Sequence, residues 1–205
     1  SFGDLYIRFF PEQAPNWDFI ATQVERLKKN FEKIAPGRKP KVLNLFAYTG
    51  AASLAAREAG ADVTHLDSVK QVVTWARQNM ELSSLDNIRW IIEDALKFVQ
   101  REARRGNVYD GILLDPPAYG RGPDGERWKL DESLLDLLKG CERILSPMNS
   151  FLVLNLYSNG YSAMLADTLV KCVFSDGGRR TSGELYLKDR FGRALPLSVF
   201  TRLER

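Results

Sequence analysis

The stretch "LLDPPAYG" (113–120) places a carboxylate, Asp115, at the end of an apolar run, followed by two prolines and the ring of Tyr119. Proline cannot donate to a sheet ladder, so Pro116 and Pro117 are an efficient way to stop a strand. That reading leaves Asp115 and Tyr119 unexplained. Together the groups suit the positioning of an amine nitrogen. Methyl transfer from a sulfonium to nitrogen needs the lone pair in line with the departing sulfur and the amine hydrogens held aside. The Asp115 carboxylate and the Pro116 carbonyl can accept those hydrogens on a stiff turn, which supplies part of the ~7–11 kcal/mol available from orientation. The Tyr119 ring offers a stacking face for a planar base or amide, contributing ~1–3 kcal/mol per base.

Two more acids end apolar runs: Asp67 closes "DVTHLD" and Asp94 closes "IRWIIED". For each acid taken alone, a helix N-cap after a strand is the plain alternative. Three in series point instead to a nucleoside. Asp67 stands about 20 residues beyond the first strand-to-helix turn, where an acid holds ribose hydroxyls. Asp94 can accept from an adenine amine, and the Ala95 N–H can meet a ring nitrogen. The first turn, "NLFAYTG" (44–50), keeps one glycine, Gly50, where a dinucleotide fingerprint has three. Phe46 and Tyr48 obstruct the close backbone approach that a pyrophosphate requires. The turn argues against NAD and for a cofactor without phosphates, such as S-adenosylmethionine (SAM).

The elements that must hold these residues follow from periodicity. Apolar positions at Phe19, Ile20, Val24, Leu27, Phe31 and Ile34 predict a helix over 16–34, ended by "PGRKPK". Strands are expected at 41–46, 62–67, 88–94, 109–115 and 151–157, with helices at 51–59, 69–82, 95–106 and 132–145 between them. Strands apolar throughout and separated by single helices imply a parallel sheet covered on both faces. The fold class is α/β, a Rossmann-like doubly wound sheet. "GELYLKD" and "ALPLSVFTRL" flank "RFGR" and predict a C-terminal antiparallel hairpin. Residues 1–40 read as a helical lead-in of the same domain and 41–205 as its core. A glycine-rich loop at 118–125 is expected to be mobile enough to close over substrate.

The chain has 205 residues, 44% hydrophobic and 27% charged, which suits one sizeable core. No apolar run reaches the length of a membrane helix and the start lacks the pattern of a signal peptide, so a soluble, cytoplasmic protein with no membrane partner is expected. The chain begins at Ser1 without Met, which reads as a processing boundary, and an N-terminal module either never existed here or was cut away. Two cysteines and one histidine, His65, argue against a disulfide framework and against a metal. A net charge of +3 permits an RNA partner. Arg121, Arg127 and Lys129 beside "DPPAYG" can meet a phosphate backbone, and Lys129 joins Asp115, Pro116 and Tyr119 as a candidate catalytic residue. The basic groups at 101–105 and 179–180 resemble solvated surface. Trp17, Trp75, Trp90 and Trp128 read as core or interface, and His65 as a packed histidine.

Five segments, "FPEQAPNW" (10–17), "VLNLFAYTGAASLAA" (42–56), "LDSVKQVVTWARQN" (66–79), "DPPAYGRGPDGERWKL" (115–130) and "LPLSVFTRL" (195–203), carry a resemblance. The chain resembles class I SAM-dependent methyltransferases of the group related to large-subunit rRNA methyltransferases. That resemblance implies a SAM pocket built from Gln13, Phe46, Thr49, Gly50, Asp67, Ser68, Asp94, Ala95 and Asp115, with Tyr48 in the same turn, and Gln13 against the methionine part. It also implies an RNA substrate. Relatives that methylate cytosine C5 attack the base with a cysteine. Some carry it just after strand five, where this chain has Ser158-Asn159-Gly160. Cys141 shares a helical face with Leu134, Leu137, Leu138 and Leu145, and Cys172 lies in an amphipathic helix, so both read as packing. N-methylation of an RNA base is the expected activity. Methylation of a protein amide or small molecule, or a non-catalytic SAM- or RNA-binding module, are the alternatives.

Overall fold

The computed structural model describes residues 10–157, 160–175 and 177–205. The short helix η1 (Pro11–Gln13) leads into α1 (Ala14–Ile34), followed by β1 (Lys41–Leu45), α2 (Ala51–Glu58), β2 (Asp62–Asp67) and α3 (Lys70–Leu82). Next come β3 (Ile88–Ile92), α4 (Ala95–Arg105), β4 (Gly111–Leu114), β5 (Tyr119–Arg121), β6 (Arg127–Lys129) and α5 (Leu130–Ile144). The chain finishes with β7 (Phe151–Leu156), α6 (Ala163–Val173), β8 (Arg179–Lys188) and β9 (Ala194–Glu204).

Seven strands form one sheet in the order β3-β2-β1-β4-β7-β9-β8. The first five pair in parallel, and β9 runs antiparallel to both β7 and β8. The expected C-terminal hairpin is present, and its second arm lies inside the sheet. The connection through α6 carries β8 two places beyond β7, and β9 returns to fill the gap between them. The fold is a Rossmann-like doubly wound sheet with an antiparallel C-terminal hairpin.

Alternation along the strands sorts side chains between two cores. Val42, Val63, Leu113 and Val153 meet Ile20, Val24, Leu27 and Phe31 of α1 and Ala56 of α2. Leu43, Ile112, Leu152 and Leu154 meet α4, α5 and α6 on the other face. Of the apolar pattern read over 16–34, Ile20, Val24, Leu27 and Phe31 are buried, Phe19 is partly buried and Ile34, at the end of the helix, is exposed. The stretch 118–125, read as a loop, contains a strand, Tyr119–Arg121, ahead of its turn. Tyr119 pairs with Lys129 and Gly120 with Trp128 in a short antiparallel hairpin, pinned by the buried Trp128. Cys172, read as packing, is exposed on α6. No described helix is long and apolar enough to cross a membrane, and no group of three or more metal-ligating side chains occurs among the described residues.

Candidate active site

A cavity of about 680 Å³ opens at the carboxyl ends of β1, β2, β4 and β7, where ligands sit in open α/β sheets. Its wall begins with the turn after β1. Phe46 (φ 56°) and Tyr48 (φ 47°) adopt left-handed backbone, which favours glycine, and each stores ~1–3 kcal/mol of strain. Surrounding bonds hold them there. The Ala47 N–H donates to the Leu66 carbonyl (3.0 Å), the Gly50 N–H to the Ala47 carbonyl (3.0 Å), and the Asn79 amide to the Thr49 carbonyl (2.9 Å). The Tyr48 N–H donates to Asp67 Oδ2 (3.0 Å). Gly50 has φ 92°, and a Cβ there would stand 3.1 Å from the Ala76 Cβ, so the turn needs glycine to pack against α3. Behind it Asn44 donates to Ser53 (2.9 Å), and Ser53 bonds His65 Nδ1 (3.0 Å). Burial drives the His65 pKa down to about 3, so the imidazole is neutral, a packed histidine as expected.

These bonds decide what the turn can hold. Three amides that a pyrophosphate would recruit are committed within the protein, while Asp67 keeps spare acceptor capacity. Its oxygens take the N–H groups of Tyr48 and Val69 (3.0 Å each), and an ionised carboxylate offers about four acceptor sites. Burial pushes the Asp67 pKa up, against the pull of the Val69, Tyr48 and Ser68 amides. A nucleoside without phosphates fits this turn.

The opposite wall is the corner after β4. Asp115 Oδ1 accepts from the Asn155 amide (2.8 Å), whose oxygen accepts from Ser198 (3.0 Å). Burial raises the Asp115 pKa to about 7, the Asn155 bond opposes the rise and the nearby Glu12 charge adds to it. Trp128 Nε1 donates to the Pro117 carbonyl (2.7 Å), and its ring lies 4.8 Å from that of Phe46, joining the two walls. Pro116 lines the cavity, and among the described groups no donor is bonded to its carbonyl. Tyr119 also lines the cavity and is 74% exposed, its ring free to receive a partner.

A buried polar chain closes the third side. Gln13 donates to the Tyr157 hydroxyl (2.9 Å), which donates to Glu12 (2.8 Å). Asn16 donates to Gln13 (2.8 Å) and accepts from Arg202 (2.9 Å). Burial and the charges of Asp115 and Glu12 push the Tyr157 hydroxyl well up, so it stays a neutral donor.

The structure therefore brings together Gln13, Phe46, Tyr48, Thr49, Gly50, Asp67, Ser68, Asp115, Pro116 and Tyr119. It does not bring in Lys129, whose Nζ pairs with Glu132 at the start of α5. Asp94 caps α4 by accepting from the Lys97 N–H (2.9 Å), and neither it nor Ala95 lines the cavity. Ser158 and Asn159 lie outside the described residues. Cys141 is buried between α5 and its neighbours, its thiol pushed up by burial, and neither cysteine lines the cavity. Sequence reasoning missed Asn155, Tyr157, Asn16 and Trp17, all in the wall. The signal for two of them was present: Asn155 and Tyr157 are polar at i and i+2 of an otherwise apolar strand, hence on one face.

Comparison with known proteins matches the chain to a family. A family model described as conserved hypothetical protein 95 fits residues 22–124, half of the chain. The chain belongs to that family. Among curated proteins, this conserved hypothetical protein 95 member is 32% identical over 118 residues to a ribosomal RNA large subunit methyltransferase K/L of Shewanella frigidimarina, covering 56% of the chain and 16% of that protein. It is 38% identical over 82 residues to a ribosomal RNA large subunit methyltransferase I of Aeromonas salmonicida, covering 38% and 21%. The chain thus spans a small part of these relatives. A solved SAM-dependent methyltransferase from Agrobacterium tumefaciens superposes with TM-score 0.87 at 44% identity, over 96% of this chain and 63% of that one. The resemblance read from the five motifs is borne out by these similarities.

Proposed function

We propose that the chain is a SAM-dependent methyltransferase that methylates an amine nitrogen of a base in RNA. The observation that carries the reading is the corner after β4: a carboxylate fixed by Asn155 beside a carbonyl with no described donor, both on the wall opposite a turn suited to a phosphate-free nucleoside. The relatives named as ribosomal RNA methyltransferases support RNA as the substrate class.

Bound SAM supplies an electrophilic methyl group. Asp67 accepts from ribose hydroxyls, and Gln13, held between Tyr157 and Asn16, addresses the other end of the cofactor. Asp115 and the Pro116 carbonyl would accept hydrogen bonds from the two amine hydrogens of the base, which fixes the nitrogen lone pair along the approach line; the carbon–sulfur bond would break as the carbon–nitrogen bond forms, and the surplus proton on nitrogen would pass to Asp115 or to water. Asp115 must be ionised to accept well, and with a pKa of about 7 it becomes so near neutral pH. Tyr119 stacks on the base, and Trp128 keeps the corner and the cofactor turn in register.

The test is incubation with methyl-labelled SAM and total RNA from a strain lacking the gene, followed by mapping of the labelled nucleotide. The expected product carries the label on a base nitrogen, with no covalent enzyme–RNA adduct. Label in the protein fraction, or in C5-methylcytosine, would overturn the proposal.

A further inference from the structure

The C-terminal hairpin does more than extend the sheet. Its pairing with β7 ends at Leu156 opposite Val199, whereas β8 and β9 continue pairing out to Lys188 and Ala194. That outer part, with the turn 189–193, projects beyond the carboxyl end of β7, the edge that carries Asp115, Asn155 and Tyr157. Ser198, where the projection begins, bonds Asn155, which bonds Asp115. At ~3.3 Å per residue the projection reaches roughly 13 Å from Ser198 to Ala194, plus its turn.

The projection exposes what a buried hairpin would hide. Phe191 is 68% exposed, and Tyr186 and Leu195 are at least half exposed. The Arg190 and Arg193 guanidinium groups lie 4.8 and 5.2 Å from the Phe191 ring centre. Asp189 accepts from the N–H groups of Phe191 (2.8 Å) and Arg193 (3.0 Å) and pairs with the Arg193 side chain (2.7 Å), which fixes the turn and presents the ring. The charge is also concentrated here. Residues 186–195, the projection and its turn, hold Lys188, Arg190 and Arg193 against Asp189 alone, a net +2.

We infer that the tip of the β8–β9 hairpin, Arg190, Phe191 and Arg193, is a docking arm for single-stranded RNA flanking the base delivered to Asp115. This rests on the RNA reading above and adds where the substrate is held. Single strands bind by base stacking on aromatic rings over a cationic surface, with little demand on sequence, and the exposed Phe191 with the Arg190 and Arg193 guanidinium groups near its ring offers both parts. A second copy of the chain is a poorer occupant. A two-fold contact through the tips would oppose like charges over an area far below the ~1,000 Å² of a stable interface.

The experiment compares wild type with Arg190→Ala/Phe191→Ala, which leaves the Asp189–Arg193 turn intact. It measures binding of a fluorescent single-stranded RNA 12-mer across a salt series, SAM affinity by calorimetry, and the sedimentation state. The expected result is about tenfold weaker RNA binding, a salt slope shallower by about 0.7 because one phosphate is no longer neutralised, and unchanged SAM affinity and melting temperature. If wild type and variant bind RNA equally, the docking arm is rejected while the RNA reading stands. A wild type that binds SAM and methylates a protein or small molecule but binds no RNA rejects both. Dimers in wild type that the variant abolishes, with equal RNA binding, assign the tip to self-association and overturn the arm.

Discussion

Replacing Asp115 by Asn should stabilise the fold while removing activity, and the size of the gain should depend on pH. The folded pKa lies near 7 because burial in the cavity wall penalises the charge, whereas in the unfolded chain the same carboxyl titrates near ~3.9. Between about pH 4 and pH 7 the unfolded state gives up this proton and the folded state keeps it. Stability therefore falls as pH rises through that window, by up to about 1.4 kcal/mol per pH unit for this group. Above pH 7 both states are ionised and the penalty stays constant. The full interval caps it at about 4 kcal/mol; water entering the open cavity reduces it, and we expect about 2 kcal/mol. The Asn side chain is isosteric, keeps an oxygen for the Asn155 donor and carries no charge. Its melting temperature should match wild type near pH 4 and exceed it by about 4–8 °C at pH 8, at ~2–4 °C per kcal/mol for a chain of this size. Turnover should fall about a hundredfold, equivalent to ~2.7 kcal/mol at the transition state. Calorimetric scans at pH 4, 6 and 8 check the first part. A gain that does not change with pH, or a variant less stable than wild type at pH 8, would refute the burial argument.

Asp67→Ala removes the acceptor for the Tyr48 and Val69 amides, so SAM affinity should drop by ~1.5–3 kcal/mol, read by calorimetry; unchanged affinity excludes Asp67 from the pocket. Trp128→Phe keeps most of the packing on Phe46 but strips the Pro117 carbonyl of its donor. It should cost ~1–3 kcal/mol of stability and lower kcat more than SAM affinity, and an unaltered kcat would show that the corner needs no such support. Tyr119→Ala should raise KM for RNA several-fold with kcat and melting temperature nearly unchanged, because the ring is exposed and contributes to base binding before the transition state; a loss confined to kcat contradicts the stacking role.

The parallel sheet was legible because buried strands and their covering helices leave two clear periods in the sequence, and strand-final Asp67 and Asp115 were legible because a charge ending an apolar run is conspicuous. What escaped detection depends on partners distant in the chain. Trp128 could be read as core, yet its bond to the Pro117 carbonyl forms only when β5 and β6 fold back on each other. The glycines between them pointed to a loop, and the pairing of β5 with β6 was hidden by that composition. Asp94 and Lys129 are the contrasting case. Neither lines the cavity, and both meet local partners, the first turn of α4 and Glu132. A helix N-cap within three residues competes well against a site that must be assembled from several strands.

The same contrast explains how the site is stabilised. Two non-glycine residues in left-handed backbone and one acid ionising only near pH 7 are each unfavourable for folding, and each is held by groups outside the motif that carries it. Asp67 of β2 and Asn79 of α3 hold the turn after β1, and Asn155 of β7, backed by Ser198 of β9, holds Asp115. Tyr157 couples Glu12 and Gln13 at the start of the chain to the end of β7. The antiparallel insertion of β9 beside β7 is thus what brings Ser198 behind the corner, and it also carries the hairpin tip out past the cavity mouth. One topological feature positions the carboxylate and extends the surface beside it, so shortening the hairpin beyond Ser198 should spare the Asp115 geometry, whereas replacing Ser198 should disturb it from behind.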